Sequence, residues 1–194
     1  AKQLSEDSGI LAEFVRSDVY DWFDENTEKF DVAFSSYGAV MWLSDLETWG
    51  QGIANTLTSG GRFVLVEFHP AYVMFEDDWQ IEFGYMGGKP NEFDSGISDY
   101  VAATGSALEI EELEEGIVDF VNPFPGVEYE WGVAEVVMAL VSAGLVLVDL
   151  REYPYSNGFK LLEDMREQNK HQFIMPEDKP QNFPMMFSVV VEKK

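Results

Sequence analysis

Cysteine is absent from this 194-residue chain, which excludes disulfides and thiolate metal sites and suits a reducing compartment. Long apolar runs are lacking too. No segment approaches the ~20 residues that a membrane-spanning helix needs, and the first residues, AKQLSEDSGI, have neither the basic nor the apolar region of a signal peptide. The expectation is a soluble, cytoplasmic protein with no membrane partner. Positive charge is scarce, with 12 Lys and Arg against 36 Asp and Glu and a formal net charge of -24. Such a field repels the phosphates of nucleic acid, so no nucleic-acid partner is expected. The acids are spread along the whole chain, which reads most simply as a solvated surface; a cationic partner or substrate and adaptation to high salt are the alternatives.

What is present is enough apolar material for one domain, 46% hydrophobic and 14% aromatic. Residues 1–8 read as helical, and residues 12–17 (AEFVRS) as a short strand. Residues 31–36 (DVAFSS) carry a continuous apolar run, as expected of a strand covered on both faces. Ser44 and Glu47 have the spacing of a capping box, and Trp49, Ile53 and Leu57 follow at helical intervals up to Gly60-Gly61, which reads as the helix stop. Residues 62–67 (RFVLVE) are the next buried strand, so a right-handed parallel crossover is the simplest topology. Residues 68–128 lose this rhythm and read as an insertion or lid over a site. A helix returns at 131–143, capped by Gly144 and followed by a strand at 145–150. A β-rich run closes the chain at 185–192, separated by a loop carrying Pro176, Pro180 and Pro184. With no helix between them, these last two strands most simply pair antiparallel.

FDVAFSSYGAVMWLSDLETWGQGIANTLTSGGRFVLVEFHP, VEYEWGVAEVVMALVSAGLVLVDLREYP and PMMFSVVVEKK, in this order, resemble the second half of the class I S-adenosylmethionine-dependent methyltransferases of the bacterial small-molecule type. The resemblance implies an α/β, Rossmann-like sheet, mainly parallel with an antiparallel C-terminal strand. It implies S-adenosylmethionine as cofactor, a small-molecule substrate as partner, and a single partial domain over 1–194 whose N-terminal strands and glycine-rich cofactor loop would lie before residue 1. No G-x-G-x-G stands at a strand end: Gly50-Gln51-Gly52 falls inside the capped helix, and Gly87-Gly88-Lys89 reads as a turn. A catalytically silent, methyltransferase-like binding or regulatory protein is therefore the competing reading, and a nicotinamide-dependent Rossmann enzyme a weaker third.

The same resemblance places Asp18 as acceptor for the adenine amino group, with Val19 giving a backbone contact. Ser35, Ser36 and Tyr37 would line the methionine end of the cofactor, at the carboxyl end of a strand where open α/β sheets gather ligands. His69, just past the second buried strand, could serve as general base, since imidazole titrates near neutrality; a structural histidine is the alternative. Trp42, Tyr129, Trp131, Tyr153 and Tyr155 could enclose an aromatic or cationic substrate, with core packing as the alternative. The acidic run EIEELEEG has no His or Cys beside it and reads as a solvated helix face, so no metal site is expected.

Overall fold

The computed structural model describes residues 2–75, 79–99 and 119–194. Helix α1 (Lys2–Ser8) and helix α2 (Val19–Glu25) open the chain. Strand β1 (Phe30–Ser35), helix α3 (Leu46–Thr56) and strand β2 (Leu57–Phe68) follow, and β1 and β2 pair in parallel. Helix α4 (Val133–Ser142) and strand β5 (Leu145–Tyr153) come after the irregular middle, and β9 (Met186–Lys193) ends the chain. The order β1-β2-β9-β5 puts β9 between β2 and β5, antiparallel to both. The sheet is therefore mixed, with β1, β2 and β5 running one way and the last strand the other.

Register decides which residues reach the core. Phe63 and Leu65 of β2 oppose Val191 and Val189 of β9, and all four are buried under α3 and α4 with Trp49, Ile53, Val136 and Leu140. Trp49 meets Phe63 edge to face at 5.6 Å, a favoured aromatic geometry. Two glycines let the helices close up. A Cβ on Gly50 would stand 2.6 Å from the Ala139 carbonyl of α4, and one on Gly52 would stand 2.2 Å from the Phe23 ring of α2. Gly50-Gln51-Gly52 is thus a helix-packing feature.

The opposite face of the sheet is bare. Phe34 opposes Val64, and Val64 opposes Val190, so these side chains share that face; Val32 and Phe34 are each 64% exposed. Apolar patches of this kind mark surfaces made to be covered. The expectation that 31–36 is buried on both faces is corrected here: no element among the described residues packs on that side. Residues 12–17 form no strand but an exposed segment without regular structure, and among the described residues no strand other than β2 pairs with β1.

Two local boundaries also differ from expectation. Asp45, not Ser44, caps α3, because its carboxylate takes both the Thr48 N–H at 3.0 Å and the Thr48 hydroxyl at 2.6 Å. Those bonds hold the Asp45 carboxyl below its ordinary value. Gly60 and Gly61 lie within β2 rather than at the helix end; Gly60 takes φ 81°, and Leu57 opposes Phe30 while Arg62 already opposes Val32. The glycines absorb this register slip.

The middle of the chain contributes a hairpin of β3 (Lys89–Phe93) and β4 (Gly126–Glu130). The acidic run at 109–116 lies outside the described residues. The segment expected to be a proline-bearing loop holds a small sheet of β6 (Ser156–Asn157), β7 (Arg166–Asn169) and β8 (Gln172–Ile174). This sheet joins a second core of Tyr72, Leu162, Met165, Met175 and Met185. The Tyr72 hydroxyl accepts the Leu161 N–H at 2.9 Å there, and burial pushes its pKa up to about 12. Among the described residues no helix is long and apolar enough to cross a membrane.

Candidate functional site

Because β1, β2 and β5 run the same way, their carboxyl ends meet at one edge of the sheet. Ser35–Tyr37, Phe68–His69 and Tyr153–Tyr155 all lie there. The element that organises this edge is Glu67, one residue short of the end of β2. It stands on the same face as Phe63 and Leu65, so strand alternation carries a carboxylate into the core, 5% exposed. An unpaired charge there would be costly. Four backbone N–H groups instead converge on it. Gly38 and Phe68 donate to one oxygen, and Ala39 and Val40 donate to the other at 2.9 and 3.0 Å. Burial still raises the Glu67 pKa, and the four amides oppose the rise. Glu67 thereby clamps the loop that follows β1, with Gly38 at φ 81° turning its amide inward.

Beside this clamp a cleft of about 90 Å³ opens between the sheet end and the β3–β4 hairpin. Its walls include Glu67, Tyr85, Glu128, Tyr129, Glu130 and Trp131. Trp131 is fixed by its indole N–H, which donates to the Leu43 carbonyl at 2.7 Å, and it stacks on Tyr129 with centroids 6.4 Å apart. The glycine-rich turn at 84–88 closes over this wall. Gly84 donates to the Glu130 carboxylate at 2.8 Å, Gly87 donates to Glu135, and a Cβ on Gly88 would strike the Trp131 ring at 2.1 Å.

The expected site residues divide. Tyr129 and Trp131 line the cleft, and Trp42 lies in the short turn Val40–Trp42 after the clamped loop. Tyr37 reaches away from the cleft; its hydroxyl accepts from the Asn157 side chain at 3.3 Å and its ring meets Phe68 at 5.3 Å. Ser35 ends β1 half-buried, and Ser36 is exposed. Tyr153 and Tyr155 sit 5.5 Å apart at the end of β5, where the Tyr153 hydroxyl pairs with Ser188 at 2.9 Å. Asp18 caps α2, accepting the Tyr20 N–H on Oδ1 at 2.8 Å, and Val19 begins that helix; neither reaches the cleft.

His69 is buried, with both ring nitrogens engaged. Nδ1 accepts the Ala71 N–H at 3.1 Å, and Nε2 lies 2.8 Å from the Glu152 carboxylate. The first bond fixes the proton on Nε2. Burial lowers its pKa more than Glu152 restores it, so the ring is neutral at pH 7.

Glu67, Glu128, Glu130 and Tyr85 are absent from the expected set. The signal for Glu67 was available: in RFVLVEF it occupies the position two beyond Leu65 on the buried face, where a carboxylate is retained only with dedicated partners.

No protein-family model matches the sequence, and no curated protein matches it. Solved structures do. A protein from Listeria monocytogenes assigned as an S-adenosylmethionine-dependent methyltransferase superposes with TM-score 0.54 at 13% identity, over 100% of this chain and 76% of its own length. An S-adenosylmethionine-dependent methyltransferase from Clostridium acetobutylicum superposes with TM-score 0.54 at 12% identity, over 99% and 69%. The fold is that of the class I S-adenosylmethionine-dependent methyltransferases. The last strand inserted antiparallel beside β2 agrees with that likeness, as does the gathering of strand ends around a clamped loop and a cleft.

Proposed function

We propose that this chain is the substrate-side part of an S-adenosylmethionine-dependent methyltransferase acting on a small-molecule acceptor. The observation that carries the proposal is the placement of β9 between β2 and β5, with the Glu67-clamped loop and the cleft at the same sheet end. S-adenosylmethionine, when bound, supplies a methyl group already activated on a sulfonium. The chain's task is then to hold and aim the acceptor, and positioning of that kind supplies much of the rate.

The residues present fit one part of the cofactor. Asp18 spends Oδ1 on the cap of α2, while Oδ2 takes no hydrogen bond among the described residues and is free to accept from an adenine amino group. The loop from Ser35 to Tyr37 would flank the methionine end, held in place by Glu67. His69 would have to break one of its two hydrogen bonds before it could take a proton, which favours a role in joining β2 to β5. The bare sheet face and the free edge of β1 are, on this reading, where the fold's remaining strands and helices pack, including the glycine-rich loop. Both solved relatives are longer than this chain.

The test is calorimetric titration of S-adenosylhomocysteine into residues 1–194 and into the same chain extended by whatever coding sequence lies upstream. Micromolar binding confined to the extended protein is expected. Micromolar binding by 1–194 as a monomer overturns the partial-domain reading, and no binding by either overturns the methyltransferase reading.

A further inference from the structure

The cleft's carboxylates are unequally provided for. Glu67 is met by four amides, and Glu130 by the Gly84 N–H and the Asn91 side chain at 3.0 Å, with Lys89 acting on it through space. Glu128, on β4 and also lining the cleft, is half-buried, and no hydrogen bond or ion pair satisfies it among the described residues. Burial without compensation lifts its pKa. The same cleft is lined by Tyr85, Tyr129 and Trp131.

We propose that this cleft receives a cationic ammonium headgroup of the substrate, with Glu128 as the counter-charge and the aromatic wall as its lining. Two considerations support this choice of ligand. An ammonium carrying methyl or methylene groups is the ligand for which a carboxylate and electron-rich ring faces work together. The volume, about 90 Å³, suits a group of a few heavy atoms, whereas pockets for whole drug-sized ligands run to ~300–1,000 Å³. The net charge of -24 adds long-range attraction for such a ligand.

While it is held as the ammonium the nitrogen has no lone pair to accept a methyl group, so in this binding mode it anchors the substrate, and the acceptor atom lies elsewhere in the molecule. That the ligand is a methyl acceptor rests on the function proposed above; that the cleft binds a cation does not.

The experiment uses choline and its uncharged isostere 3,3-dimethyl-1-butanol as probes. Each is titrated into the ¹⁵N-labelled chain while the Trp131 indole N–H is followed by NMR. Choline is expected to saturate at a concentration at least tenfold lower than the isostere. Glu128→Gln should weaken choline at least tenfold and leave the isostere unchanged, while Glu13→Gln, in the exposed N-terminal segment, should alter choline less than twofold. Equal binding of the two probes, no choline binding, or equal losses in the two variants overturns the proposal. No cofactor is present in this assay, so a chain that binds choline but, when extended, fails to bind S-adenosylhomocysteine loses only the methyltransferase reading.

Discussion

Replacing Glu67 by glutamine tests whether the loop after β1 is held by a carboxylate or merely packed there. Side-chain volume is nearly unchanged, so no cavity complicates the result. One carboxylate oxygen becomes an NH2 group, and whichever oxygen is replaced, two of the four amides lose their acceptor and face a donor: Gly38 and Phe68, or Ala39 and Val40. A buried donor left without a partner costs ~1–3 kcal/mol, so the substitution should cost ~2–6 kcal/mol. For a chain of this size each kcal/mol shifts Tm by ~2–4 °C, which predicts a fall of roughly 4–24 °C. Urea unfolding followed by circular dichroism gives the free energy, and a thermal scan checks it. Glu67→Gln lying within ~0.5 kcal/mol of the parent, the range of an ordinary surface change, would refute the clamp.

Gly50→Ala should destabilise by ~1–3 kcal/mol through overpacking against the Ala139 carbonyl, although helix propensity alone predicts a gain of ~0.8–1.0 kcal/mol; a rise in Tm would sink the packing argument. Asp45→Ala removes the cap of α3 and should cost ~0.5–2 kcal/mol by urea unfolding, with Ser44→Ala nearly neutral; the reverse ranking would restore Ser44 as the cap. His69 has its folded pKa below the unfolded value of 6.5, so below about pH 6.5 the unfolded chain binds the extra proton. Its contribution to stability is therefore present above that pH and lost as pH falls toward the folded pKa, at a slope of up to ~1.4 kcal/mol per pH unit. Unfolding measured at pH 7.5 and 5.5 should show the parent losing more than His69→Gln; parallel losses would mean the ring is not held neutral.

How much of this was legible in the sequence depended on whether neighbouring residues carried the information. Helix α4 and the strands β1, β2, β5 and β9 were readable because apolar runs and glycine stops are local signals. So was the antiparallel close, since two strands without an intervening helix have few ways to pair. The small sheet β6–β8 was not, because its short strands SN, REQN and QFI carry too little alternation and gain their place from the distant Tyr72 and Met185. Residues 12–17 show the converse failure. Their composition suits a strand, yet a strand needs an edge to pair with, and that partner is not a local property.

The site followed the same division in a sharper form. Aromatic residues were conspicuous by type, yet of five candidates only Tyr129 and Trp131 line the cleft, because a ring's destination depends on long-range packing. His69 was conspicuous by chemistry, and the fold spends both its nitrogens on structure. The informative residues were acids that looked like part of a generally acidic surface. In a chain with 36 carboxylates no single one stands out by number, but Glu67 stands out by position, since it continues the buried face of β2 after Phe63 and Leu65. An acid at that place requires converging N–H donors, those donors have to come from a loop turned back on itself, and that loop lies at the strand ends where open α/β sheets in general gather ligands. The buried carboxylate is therefore the residue from which loop and cleft could have been inferred before any coordinates.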